Sequence, residues 1–106
     1  MLREKDFQSK VLEIVSQIPA GKVMTYGAIA ELAGLRSGAR MVGYILNAQK
    51  YSDRYPCHRV VNRNGELSGK NYFPTPTMMR ELLEAEGVSF EGEKVQMKLH
   101  NWTIID

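Results

Sequence analysis

Cysteine is nearly missing from this sequence: Cys57 is the only one in 106 residues. One thiol cannot close an internal disulfide, so covalent stapling is excluded and a reducing compartment is implied. With only two histidines, His58 and His100, to accompany it, the set of soft ligands is too small and wrongly spaced for zinc, and neither a metal nor a cofactor is expected. Long apolar runs are missing too, and no stretch combines the basic, apolar and small-residue regions of a leader. The expectation is an intracellular, cytoplasmic protein with no membrane partner. Repeats, low-complexity tracts and linkers are also lacking, so residues 1–106 read as one domain around one core, and as a monomer.

What is present is unevenly distributed. The formal charge is only +2. Residues 36–70, however, hold Arg36, Arg40, Lys50, Arg54, Arg59, Arg63 and Lys70 against Asp53 and Glu66, a net of +5 between neutral and acidic flanks. A basic face of this kind suits a polyanion, most simply a nucleic acid backbone, although a merely solvated surface would share the composition.

Apolar periodicity predicts a mainly helical chain. Asp6 is a plausible N-cap for a helix carrying Phe7, Val11, Ile14, Val15 and Ile18 on one stripe, stopped at Pro19-Ala20-Gly21. Thr25 caps a helix of about two turns that ends at Gly34, and Ser37 caps a third, with Val42, Ile45 and Leu46 inward. Two short helices joined by a tight turn, the second basic at its start, form a helix-turn-helix pattern, which plain packing hairpins share. Gly38 and Ala39 with Arg40 beside them offer a small-residue surface and one long cation, a combination suited to a narrow minor groove. Val60-Val61, the turn at Asn62-Arg63-Asn64-Gly65 and Glu66-Leu67-Ser68 predict a small hairpin. Thr75 and Pro76 open a last helix with Met79, Leu82 and Leu83 inward, ending at Gly87. Val95 to Leu99 alternates like an edge strand before Trp102. The expected fold is mainly α with a small β-hairpin: a single winged-helix-like domain containing a helix-turn-helix.

The chemistry concentrates at Pro56-Cys57-His58-Arg59. A thiol reacts as its thiolate, and a nearby imidazole lowers a cysteine pKa, though a lone cysteine is also commonly an inert buried hydrophobe. Neighbouring strand residues point to opposite faces, so proton transfer from Cys57 to His58 calls for a bridging water. Glu86 is a candidate third member that would orient His58.

Four segments, Gly21-Lys22-Val23-Met24-Thr25-Tyr26-Gly27, Gly38-Ala39-Arg40-Met41-Val42-Gly43, Pro56-Cys57-His58-Arg59-Val60-Val61 and Gly65-Glu66-Leu67-Ser68-Gly69, occur here in order. Together they resemble the C-terminal DNA-binding domain of the O6-alkylguanine-DNA alkyltransferases and the related alkyltransferase-like proteins. The resemblance covers about residues 6 to 90 and implies a winged helix-turn-helix domain that binds double-stranded DNA carrying O6-alkylguanine in the minor groove. The base would be flipped and its alkyl group transferred irreversibly to Cys57. By position, His58 and Glu86 would activate Cys57 through a water. Arg36, Ser37, Gly38, Ala39 and Arg40 would form the DNA-binding helix, with Arg40 filling the vacated space. Tyr26 would crowd the target phosphate and donate to the guanine, Ser68 would hydrogen-bond the lesion oxygen, and backbone near Cys57 and Val60 would read the base edge.

The pattern departs in places. Gln49 stands where family members have an asparagine bracing the cysteine loop, with Asn47 two residues earlier, and Asn71-Tyr72-Phe73-Pro74 replaces the usual substrate loop. The tail 97–102 looks more like that of the alkyltransferase-like proteins, which bind lesions and carry tryptophan or alanine in place of the cysteine. The expected activity is a single-turnover methylated-DNA–[protein]-cysteine S-methyltransferase. The alternative is a non-enzymatic binder of alkylated guanine that recruits other DNA repair proteins.

Overall fold

In a computed structural model that describes residues 4–49 and 52–104, the apolar stripe of the first segment lies along α1 (Glu4–Ser16). Phe7, Val11 and Val15 are at most 2% exposed, so this face supplies the centre of the core. The helix already runs through Asp6, which is therefore not its cap. The chain then leads through β1 (Met24–Thr25) into α2 (Tyr26–Leu32), whose first turn is capped as expected: the Ala28 N–H donates to Thr25 Oγ1 at 3.1 Å.

α3 (Ala39–Ala48) follows α2 through a tight turn and packs Val42, Ile45 and Leu46 against α1 and α2. Its N-cap is Gly38, with no side-chain capping bond, so Ser37 does not cap it. Gly38 is buried, and an added Cβ would lie 2.9 Å from both the Leu35 carbonyl oxygen and Phe7 Cζ. The missing side chain at Gly38 thus serves close packing of the turn on α1, not approach to an outside surface.

The predicted hairpin at residues 60–68 does not form. β2 (Val60–Val61) instead pairs in parallel with β1, Met24 opposite Val60 and Thr25 opposite Val61. Asn62 closes the following turn with its own side chain, Oδ1 accepting from the Asn64 and Glu66 N–H groups. That local satisfaction of the backbone ends any ladder. α4 (Met78–Ala85) starts after Thr77, two residues later than expected, so Thr75 and Pro76 lie in the preceding loop. It buries Met79 and Leu83 in a second apolar cluster with Val23, Val61, Val88 and Val95. Leu82, expected inward, is only partly buried.

The hairpin of the fold lies further on, β3 (Phe90–Glu91) against β4 (Lys94–Val95). The expected edge strand at 95–99 gives way after Val95 to α5 (Met97–His100). The tail is stitched back to the start of β1: the Val23 N–H donates to the His100 carbonyl and the Trp102 N–H to the Val23 carbonyl, each at 2.9 Å. His100 adds side-chain bonds, its Nδ1 to the Gly21 carbonyl at 3.0 Å and its Nε2 accepting from the Ser89 N–H at 3.0 Å. The architecture is mostly helical with two small sheets. Among the described residues no helix is long and apolar enough to cross a membrane.

Candidate active site and nucleic-acid interface

Cys57, His58 and Arg59 form a single 3₁₀ turn immediately before β2. Its backbone is tied locally, Cys57 N–H to the Tyr55 carbonyl at 2.9 Å and Arg59 N–H to the Pro56 carbonyl at 3.0 Å. The parallel pairing of β2 with β1 anchors this turn against the entrance to α2. In a 3₁₀ turn successive side chains fan around an axis, which places Cys57 and His58 differently from the alternating strand expected above.

Glu86, the C-cap of α4, comes back to this turn. Its Oε2 lies 3.0 Å from His58 Nε2 and accepts from Arg59 Nη2 at 2.6 Å, while its Oε1 accepts from Arg59 Nε at 3.0 Å. The remaining Arg59 donor, Nη1, reaches the Ile18 carbonyl beyond α1 at 2.7 Å. One guanidinium thus joins the cysteine turn, the end of α4 and the exit of α1, using the planar fork that lysine lacks. Burial pushes the Glu86 carboxyl up, but hydrogen bonds from Arg59 and then His58 outweigh it, and their charge adds to them. The carboxyl is held below its ordinary value. Arg59 was not among the residues assigned a role above. Its place in the Pro-Cys-His-Arg motif was the available signal, but the partner 41 residues away was not visible.

Cys57 is half-buried, and its Sγ faces the Leu46 carbonyl at the end of α3 at 3.9 Å. Burial raises the thiol pKa, only partly offset by its own backbone N–H. The sulfur makes no direct hydrogen bond to His58. It opens into a cavity of about 590 Å³ whose walls include Gln49, Ser52, His58, Phe73 and Leu82. Gln49 therefore borders the thiol cavity, while Asn47 keeps its Oδ1 buried with no hydrogen-bond partner. Phe73 and Leu82 are cavity walls that sequence periodicity did not single out, because one lies in an irregular loop and the other had the spacing of a core residue.

Tyr26, Arg40 and Ser68 meet elsewhere, at a second cavity of about 470 Å³ between α3 and the loop that follows β2. Burial raises the Tyr26 pKa, a hydrogen bond with Ser68 lowers it, and the proximity of Tyr72 and Cys57 raises it further. The candidate residues are therefore split into two neighbouring groups. Cys57, His58 and Glu86 lie in one, Tyr26, Arg40 and Ser68 in the other, and Tyr26 and Cys57 are near enough that ionisation of one disfavours that of the other.

Along the helix-turn-helix, Arg36, Ser37 and Arg40 are exposed and Ala39 is half-buried, whereas Gly38 is covered by Phe7 and Leu35. The assignment of Gly38 to a DNA-facing surface is corrected accordingly. The Val60 side chain is fully buried, and its N–H donates to the Cys57 carbonyl. Lys50, one of the central cations, lies outside the described residues. Among those described, no group of three or more His, Cys, Asp or Glu could hold a metal ion.

Comparison with known proteins agrees with this geometry. Residues 6–88 match the family described as 6-O-methylguanine DNA methyltransferase, DNA binding domain. The chain is 39% identical over 103 residues to the DNA base-flipping protein of Escherichia coli, covering 96% of this chain and 78% of that one. It is 36% identical over 88 residues to a methylated-DNA–protein-cysteine methyltransferase of Methanothermobacter thermautotrophicus, covering 83% of this chain and 48% of the relative. Among solved structures, Schizosaccharomyces pombe Atl1 in complex with damaged DNA containing O6-carboxymethylguanine superposes with a TM-score of 0.86 at 32% identity. That match covers 97% of this chain and 100% of the other. With a matching profile over most of its length and a cysteine turn braced by Glu86, the chain belongs to the 6-O-methylguanine DNA methyltransferase family through its DNA-binding domain.

Proposed function

We propose that this chain binds alkylated DNA through α2 and α3 in the minor groove, draws an O6-alkylguanine out of the stack, and takes its alkyl group onto Cys57. The observation that carries this reading is Cys57 opening into a cavity beside a His58–Glu86 contact of 3.0 Å. Glu86 occupies His58 Nε2 and leaves Nδ1 as the ring atom able to take the thiol proton through a water. The sulfur forms a bond to the alkyl carbon as the carbon–O6 bond breaks, and the electron pair stays on the guanine. Tyr26, at the neighbouring cavity, is the hydroxyl placed to give that base a proton, and the proton on His58 restores it. The thioether is stable, so each molecule acts once.

A second reading has its own support. Burial raises the Cys57 thiol pKa and its Sγ faces the Leu46 carbonyl, and the lesion complex of Atl1 superposes over nearly the whole chain. In that reading the chain holds the flipped base without chemistry and presents it to other repair proteins. Intact mass after incubation with an O6-methylguanine duplex separates the two. The transferase reading expects the protein to gain one methyl group, located at Cys57 and lost in Cys57→Ala. Tight lesion binding with no change in mass would overturn it.

A further inference from the structure

The second cavity has features that the alkyl-transfer reading leaves unused. Tyr44 on α3 is 64% exposed, more than any other large apolar or aromatic side chain among the described residues. It follows Arg40 by one helical turn, so both side chains line the same face. Tyr72, 36% exposed, lines the same cavity, as does Arg63. Among the described residues no acidic side chain lines it.

Its floor is built from glycines that the chain itself does not need. Gly27 lies in the first turn of α2, where a Cβ would meet nothing within 4 Å; a Cβ at Gly43, in the interior of α3, would meet only Tyr26 Cε1 at 3.9 Å. Neither has a positive φ. Glycine inside a helix costs about 0.5–1 kcal/mol relative to alanine, and here neither internal packing nor backbone conformation accounts for it. Open floor, aromatic walls and two arginines fit a flat, polyanion-linked occupant that presses against the backbone.

We infer that Tyr44 is a second base-binding residue, on whose ring rests a base that has lost its pairing partner, outside the cavity that holds Cys57. A base inside an intact stack presents only its edges, whereas one that has lost its pairing partner can leave the stack and lay its face on the ring of Tyr44. Eversion of a guanine creates one. This inference rests on the reading of α2 and α3 as the DNA-facing helices and not on alkyl transfer.

The test uses two undamaged duplexes, one fully paired and one with a single abasic position, which leaves one base unpaired with no alkyl group present. Wild-type protein is expected to bind the abasic duplex more tightly, Tyr44→Ala to weaken that binding about tenfold, as for loss of one aromatic stack, and Tyr44→Phe to keep it. The salt dependence of binding should be unchanged in Tyr44→Ala, because a ring displaces no counterions. Equal affinity of wild type and Tyr44→Ala for the abasic duplex overturns the inference, as does a Tyr44→Phe variant as weak as the alanine one. Binding of wild type to neither duplex overturns the DNA reading as well.

Discussion

Glu86 is the residue on which the site converges, and its energetics carry a sign that can be checked. Its folded pKa is depressed, so the stabilisation is fully present above the ordinary carboxylate range and is lost as pH falls through the folded value. Replacing Glu86 by Gln is expected to cost about 1.5–3 kcal/mol at neutral pH, the range for hydrogen bonds to charged groups. The gap between wild type and variant should close as the pH drops below about 4. Urea denaturation at both pH values measures it, and a gap independent of pH would show that the ion pair contributes nothing. At this scale much was legible. Cys57, His58 and Glu86 could be named from the motif and the helix end, and the structure brings them together. What could not be read was the sharing of one carboxylate between His58 and Arg59, since it depends on the Ile18 carbonyl at the far end of α1. Nor could Gly38 be read correctly, because a glycine that admits DNA and one that admits Phe7 look alike in one dimension.

The elements divide by how local their causes are. α1 to α4 were visible because their apolar spacing and caps lie within one short segment, and Thr25 caps α2 as its type suggests. β1 and β2 are two residues each and pair across 36 positions; nothing within either segment announces the other. The segment expected as a hairpin at 60–68 forms a turn closed by the Asn62 side chain, and the hairpin of the fold lies at 90–95. Helical glycines offer a test of the same distinction between local and tertiary cause. Gly38→Ala would force a Cβ against a carbonyl and the Phe7 ring and should destabilise the fold by about 1–3 kcal/mol. Gly27→Ala meets only open space and should raise stability by up to about 1 kcal/mol. Thermal melts of the two variants give opposite signs if this account of the turn is right, and shifts of the same sign would refute it.

For the molecule as a whole, charge segregation was readable, but its strength was overstated. Arg59, counted among the cations of residues 36–70, is committed to Glu86 and the Ile18 carbonyl. Arg40 and Arg63, by contrast, line an open cavity in which no acidic side chain stands among the described residues. Affinity for DNA should therefore fall steeply with salt. Arg40→Ala and Arg63→Ala should each weaken binding across sequences and flatten the log–log salt slope by about one, the share of one phosphate contact. Titrations at several salt concentrations read the slope directly; a slope near zero in the wild type would exclude a phosphate-tracking face.

The contact between His58 and Glu86 spans 28 positions, and this orders events during biosynthesis. A growing chain supplies α1, α2 and α3 first, and their mutual packing involves residues near one another in sequence, the kind of contact that forms early. Glu86 is translated only later, and the residues that stitch β1 to the tail, His100 and Trp102, later still. A nascent chain therefore supplies α2 and α3 before His58 has its carboxylate partner.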